Sequence, residues 1–174
     1  MVINIHPIFV HFPIAMLTFY SLFELIKIKR INDQSWFVNT KFVLLTIGFF
    51  GSLAAIATGL LAKEAFVGKS LLKVVNVHLK FAVVTALFFG LIWIVYASHF
   101  SLRGVKNEKV QRVVFQINKL FPLIDKKALG IILSLIGLML ITITGALGGS
   151  IVYGTDTDPV VKLIYKILRL FINI

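Results

Sequence analysis

Four histidines and no cysteine bound the chemistry open to this chain. Without thiols, disulfides, thiolate zinc sites, iron–sulfur ligation and thioether-linked haem are excluded, so any metal or haem must be held by imidazole. Two histidines stand in similar local sequence: "HFPIAMLT" carries His11, Ala15 and Thr18, and "HLKFAVVT" carries His78, Ala82 and Thr85. These spacings put each trio on one helix face. The small residue one turn below each imidazole leaves room for a flat group lying against the helix. Two imidazoles facing each other across a bundle, each presenting one nitrogen, form the axial-ligand arrangement of a b-type haem. Three roles fit the pair His11 and His78: haem ligation, handling of another metal or of protons, and interfacial hydrogen bonding to carbonyls or headgroups.

The other histidines read differently. His6 lies five residues before His11, about 140° around a helix axis, so the two cannot chelate one metal from the same face. It is expected as the cap of the first helix, or as a hydrogen-bond partner of whatever His11 holds. His99 has no second histidine at its depth and is expected at the surface.

These residues must be positioned by helices that cross a membrane. With 59% hydrophobic and 14% charged residues among 174, and a mean hydropathy of +0.97, the chain is too apolar for an ordinary soluble domain. The fold class expected is all-α, an integral membrane four-helix bundle with interfacial amphipathic helices. Four apolar runs are long enough to span about 30 Å of hydrocarbon: Pro7–Ile28, Thr40–Leu61, Val77–Tyr96 and Ala128–Val152. Starting the first span at Pro7 uses a residue whose missing N–H costs nothing there, and Pro13 then bends the helix one turn in. No secretory leader is expected, because the opening residues lack a basic stretch and a small-residue cleavage site.

The net charge of +11 would suggest nucleic acid in a soluble protein, but the bases cluster between the apolar runs and no nucleic-acid arm stands apart. Counted near the span ends, Lys27, Lys29, Arg30, Lys41, Arg103, Lys106, Lys109, Arg112, Lys119, Lys126 and Lys127 share one side. Lys63, Lys69, Lys73, Lys162, Lys166 and Arg169 share the other. Eleven against six predicts both termini outside the cytoplasm of a prokaryotic inner membrane. His11 and His78, just inside the N-termini of two parallel spans, then lie at one depth near the outer leaflet.

The antiparallel spans bring small residues to the same layer. The second carries Gly48, Ser52, Ala55, Gly59 and Ala62, read as a packing stripe. The fourth ends in "TGALGGSIVYG", where Gly145 and Gly149 form a G-x-x-x-G face. Gly148 and Gly149 serve packing or cofactor clearance, and Tyr153 sits at the interface. Lys80, Lys73, Asn76 and Tyr153 are candidates to meet haem propionates, by charge and depth. Glu24, the acid inside an apolar run, is expected as a snorkelling interfacial partner of Lys27 or Lys29. No charged residue lies in the middle of any span to carry ions or protons across.

Two amphipathic segments, Val110–Phe121 and the basic tail from Asp158-Pro159 to Ile174, read as helices on the membrane surface or as docking faces for a partner. The domain division expected is a bundle over 1–154 and a basic amphipathic helix over 155–174.

The motifs "HPIFVHFPIAM", "NVHLKF" and "GALGGSIVYG" resemble the four-span prokaryotic membrane proteins grouped as domain of unknown function 2231, over essentially the whole chain to about Gly154. The resemblance implies a four-helix membrane domain whose recurring polar positions map onto His6, His11, His78, Gly148, Gly149 and Tyr153. Some relatives sit beside redox modules, which favours electron transfer. Where relatives carry an acid after Gly-Leu-Leu, this chain has Ala62.

The expected function is therefore a cytochrome b-like electron-transfer subunit, with one haem b held by His11 and His78 and flanked by Ala15, Ala82, Gly145, Gly148, Gly149, Tyr153, His6 and Lys80. Its partners would be the lipid bilayer, a redox partner or larger complex, and quinone. The rival expectations are a non-catalytic accessory subunit that scaffolds a larger assembly, and a histidine-based metal- or proton-handling protein. Phosphate-binding glycine loops, a nucleophile elbow, H-E-x-x-H and paired carboxylates on one face are all missing from the sequence.

Overall fold

The computed structural model describes residues 6–101, 107–126, 128–156 and 158–171. Arg103, Lys106, Lys127 and the tail residues after Phe171 lie outside them. Among the described residues the secondary structure is helical: α1 (His6–Leu25), α2 (Lys29–Asn32), α3 (Ser35–Lys63), a 3-10 turn (Glu64–Phe66), α4 (Leu72–Ser101), α5 (Glu108–Asn118), α6 (Phe121–Asp125), α7 (Ala128–Tyr153) and α8 (Pro159–Phe171). Helices α1, α3, α4 and α7 are long and apolar enough to cross a membrane. In lipid a helix satisfies its own backbone, which is why apolar runs of this length become helices.

The helices overrun the apolar windows that predict them. α3 begins at Ser35 rather than Thr40, and α4 covers Leu72–Ser101 rather than Val77–Tyr96. Charged residues end a hydropathy window without ending backbone hydrogen bonding. α1 instead stops at Leu25, short of Ile28, where the Ile26 amide bonds back to the Phe23 carbonyl in a closing turn.

α1 packs on α3 and α7, and α4 packs on α3 and α7, so α1 and α4 occupy one diagonal of the bundle. The α1–α3 contact runs over Gly48 and Gly59 of the expected small-residue stripe and over Gly51, which that stripe did not include. A Cβ on Gly48 would stand 2.6 Å from the Leu17 side chain, and one on Gly51 would stand 3.2 Å from the Pro13 ring. With no hydrophobic force between helices in lipid, such close backbone approach is what holds the pair. α1 continues through Pro13, which is buried against that groove.

Inward residues of α1 are Pro13, Leu17, Tyr20, Ser21 and Glu24. Leu17, Tyr20, Leu45, Phe89, Ile92, Tyr96, Phe121 and Ile141 belong to one core cluster. α5 rests on α4, and α6 on α7, at one end of the bundle. At the other end Gly154 adopts φ +92°, its amide closes on the Ser150 carbonyl at 3.1 Å, and the chain turns to lay α8 against α7. A glycine at this left-handed position is the ordinary way to stop a helix.

Candidate functional site

The N-terminal ends of α1 and α4 and the C-terminal ends of α3 and α7 meet in one layer. His6 and His78 approach there across the diagonal, ring centroids 6.5 Å apart and planes at 75°. Each ring rests over a glycine of an antiparallel neighbour. A Cβ on Gly59 would lie 3.0 Å from His6 Cε1, and one on Gly148 would lie 3.2 Å from His78 Cε1.

Both imidazoles are anchored through Nδ1. His78 Nδ1 lies 3.0 Å from the Thr144 carbonyl oxygen, which can only accept, so Nδ1 carries the proton and Nε2 the lone pair. His6 Nδ1 lies 3.1 Å from Thr58 Oγ1, whose own proton is directed to the Ala54 and Ala55 carbonyls at 3.1 and 3.0 Å. Thr85, two helical turns deeper on α4, bonds Thr144 Oγ1 at 3.0 Å and fixes the α4–α7 register beside the site.

The pair differs from the one expected. His11 is exposed on the outside of α1, while His6 turns inward. The reason lies in the helix face: His6 is seven residues before Pro13, so it continues the inward stripe of Pro13, Leu17, Tyr20 and Glu24. His11, about 140° away, must then face out. His6, expected as the cap of the first helix, is its first described residue, and its side chain reaches across to Thr58 of α3. The resemblance between the two trios is consequently not a symmetry of the site: His78 is half-buried and bonded to α7, whereas His11 faces outward.

The remaining expected site residues scatter around the layer. Ala15 and Ala82 are half-buried, Gly148 underlies His78, and a Cβ on Gly149 would lie 3.6 Å from Val161 of α8. A Cβ on Gly145 would meet nothing within 4 Å. Lys80 and Lys73 are exposed and Asn76 is half-buried. Tyr153, the last residue of α7, is 75% exposed.

A second polar layer closes the opposite end, and sequence reasoning missed most of it. Glu24 is not a snorkelling residue: it is 0% exposed, as are Lys41 and Asp125. Glu24 pairs with Lys27 through Oε1, and through Oε2 accepts from Lys41 at 3.1 Å and from the Tyr96 hydroxyl at 2.7 Å. Lys41 also pairs with Asp125, and Lys27 donates to the Ile124 and Asp125 carbonyls at 3.1 and 2.8 Å. Two cations and two anions from α1, α3, α6 and the turn after α1 thus neutralise one another. Lys41, expected as a loop base, sits inside α3. A lone acid on the inward stripe of α1 was the available signal. His99, by contrast, is exposed as expected and stacks on Phe121 at 3.9 Å.

The histidine layer fits a metal-centred group on its donor chemistry. His6 and His78, with ring centroids 6.5 Å apart, are the two imidazoles that could share one metal. Among the described residues no three His, Cys, Asp or Glu come together.

Four apolar helices enclosing a neutralised charge layer at one end and a histidine pair at the other define a multi-pass helical membrane protein. The chain belongs to the predicted membrane protein family DUF2231, whose model matches residues 2–158. No curated protein and no solved structure matches it.

Proposed function

We propose that the protein is an electron-transfer subunit of the membrane, with one b-type haem held between His6 and His78. The observation that carries this reading is the edge-to-face approach of two anchored imidazoles from diagonally opposite helices. His6 and His78 would be the residues that hold it. Thr58 Oγ1 and the Thr144 carbonyl, bonded to Nδ1 of each ring, would hold the ring planes and make the donating nitrogens more basic. Bound there, haem supplies reversible one-electron exchange. Gly59 and Gly148 let the imidazoles lie against their neighbours.

The excess of Lys and Arg near the opposite end favours a prokaryotic inner-membrane protein with the histidine layer and both termini outside the cytoplasm. Electrons would pass there to or from a redox partner or larger complex, or quinone in the bilayer.

The test is the absorption spectrum of the purified, haem-supplemented protein. A low-spin Soret band is expected in the native chain, lost in His6→Ala and in His78→Ala and kept in His11→Ala and His99→Ala. Colourless protein overturns the proposal, as does a band that survives both His6→Ala and His78→Ala.

A second reading rests on the same layer. The imidazoles already fill the space over Gly59 and Gly148, as a purely structural clasp would. The protein would then be an accessory subunit scaffolding a larger membrane assembly. Colourless protein that co-purifies with stable partners favours this reading.

A further inference from the structure

We propose that α8 is a docking face for the anionic phospholipid of the bilayer in which the bundle sits. The family match ends at residue 158, and α8 begins at Pro159, so this helix is outside the part the family shares. Asp158 caps it, accepting from the Val160 and Val161 amides at 2.8 and 3.0 Å.

Its side chains divide into three faces. Val161 and Leu168 are buried and Ile164 and Tyr165 half-buried; Leu168, Ile164 and Tyr165 pack with Val74, Val77 and Leu147 of the bundle, and Val161 lies over Gly149. Val160, Leu163, Ile167 and Leu170 recur at helical spacing and are all exposed. Lys162, Lys166 and Arg169 make the third face, also exposed, and α8 contains no acid. Among the described residues the acid paired to it is Asp156, 3.1 Å from Lys162 and itself exposed.

A soluble surface would leave the second apolar stripe in water. A buried span would leave the basic stripe in hydrocarbon. Acyl chains beside phosphates satisfy both at once, and charge complementarity selects anionic headgroups over zwitterionic ones. The location agrees: α8 starts a few residues beyond Tyr153, an exposed aromatic at the end of a span, and its first face is held to α7.

The absence of cysteine allows a clean test on the full chain. In nanodiscs containing spin-labelled lipid, the native protein should retain phosphatidylglycerol over phosphatidylcholine. The variant K162Q/K166Q/R169Q should lose that preference, by up to about fivefold per charge removed, with unchanged helix content. A nitroxide on Leu163→Cys should be open to oxygen and shielded from a water-soluble nickel relaxant. Equal retention of the two lipids by the native chain overturns the proposal. So does a label at position 163 that is immobilised by protein contact, which would make the occupant of the stripe a partner subunit or a second copy.

Discussion

The Tyr96 hydroxyl donates to Glu24 Oε2 at 2.7 Å, joining α4 to α1 across the diagonal at the end opposite the histidines. Glu24 and His6 stand on one face of α1, eighteen residues apart, or about 27 Å along the axis. One helix face therefore contributes to both polar layers.

Removing one charge from the buried layer should cost more than removing it together with its partner. Lys41→Met leaves Glu24 and Asp125 without their shared cation, and a loss of about 3–5 kcal/mol is expected. Combining it with Asp125→Asn, which leaves the Glu24–Lys27 pair to neutralise itself, should restore part of that loss. Reversible unfolding in mixed detergent micelles measures both, and a double variant no better than Lys41→Met alone contradicts the account.

Gly130 adjoins the same layer. A Cβ there would run into the Ile124 carbonyl oxygen and stand 2.9 Å from Lys27 Nζ. Gly130→Ala should destabilise by about 1–3 kcal/mol through overpacking despite improving helix propensity. A variant as stable as the native chain in a thermal scan would show that the α6 turn yields.

In the histidine layer, Gly148→Leu should displace the His78 ring, because its first side-chain carbon already lies 3.2 Å from Cε1. Loss of the haem spectrum is expected under the proposed function. Under the scaffold reading the expected readout is a lowered melting temperature in colourless protein.

His11→Leu should be tolerated within about 0.5 kcal/mol, since the side chain is exposed and outside the histidine contact. His78→Leu should not be, because it leaves the Thr144 carbonyl without its ring donor. Detergent-unfolding midpoints of the two variants should separate clearly.

Orientation can be read from single cysteines in this thiol-free chain. In intact cells a membrane-impermeant maleimide should label Gly68→Cys and spare Asp33→Cys. The reverse pattern would invert the orientation and put the histidine layer on the cytoplasmic side.

The chain's own sequence determined the membrane spans, the order of the helices, the family and the amphipathic tail. Apolar length decides these locally, because a segment in hydrocarbon has to satisfy its own backbone as a helix. Tertiary structure alone decided which way each helix is turned. His11 and His6 are both near the start of α1, and the stripe that buries Tyr20 and Glu24 sends only His6 inward. Lys41 reads as a loop base by its charge, yet lies at 0% exposure because Glu24 and Asp125, from α1 and α6, arrive beside it. A charge in a low-dielectric interior is tolerated only when its partners are supplied, and those partners come together through packing among segments far apart in the chain.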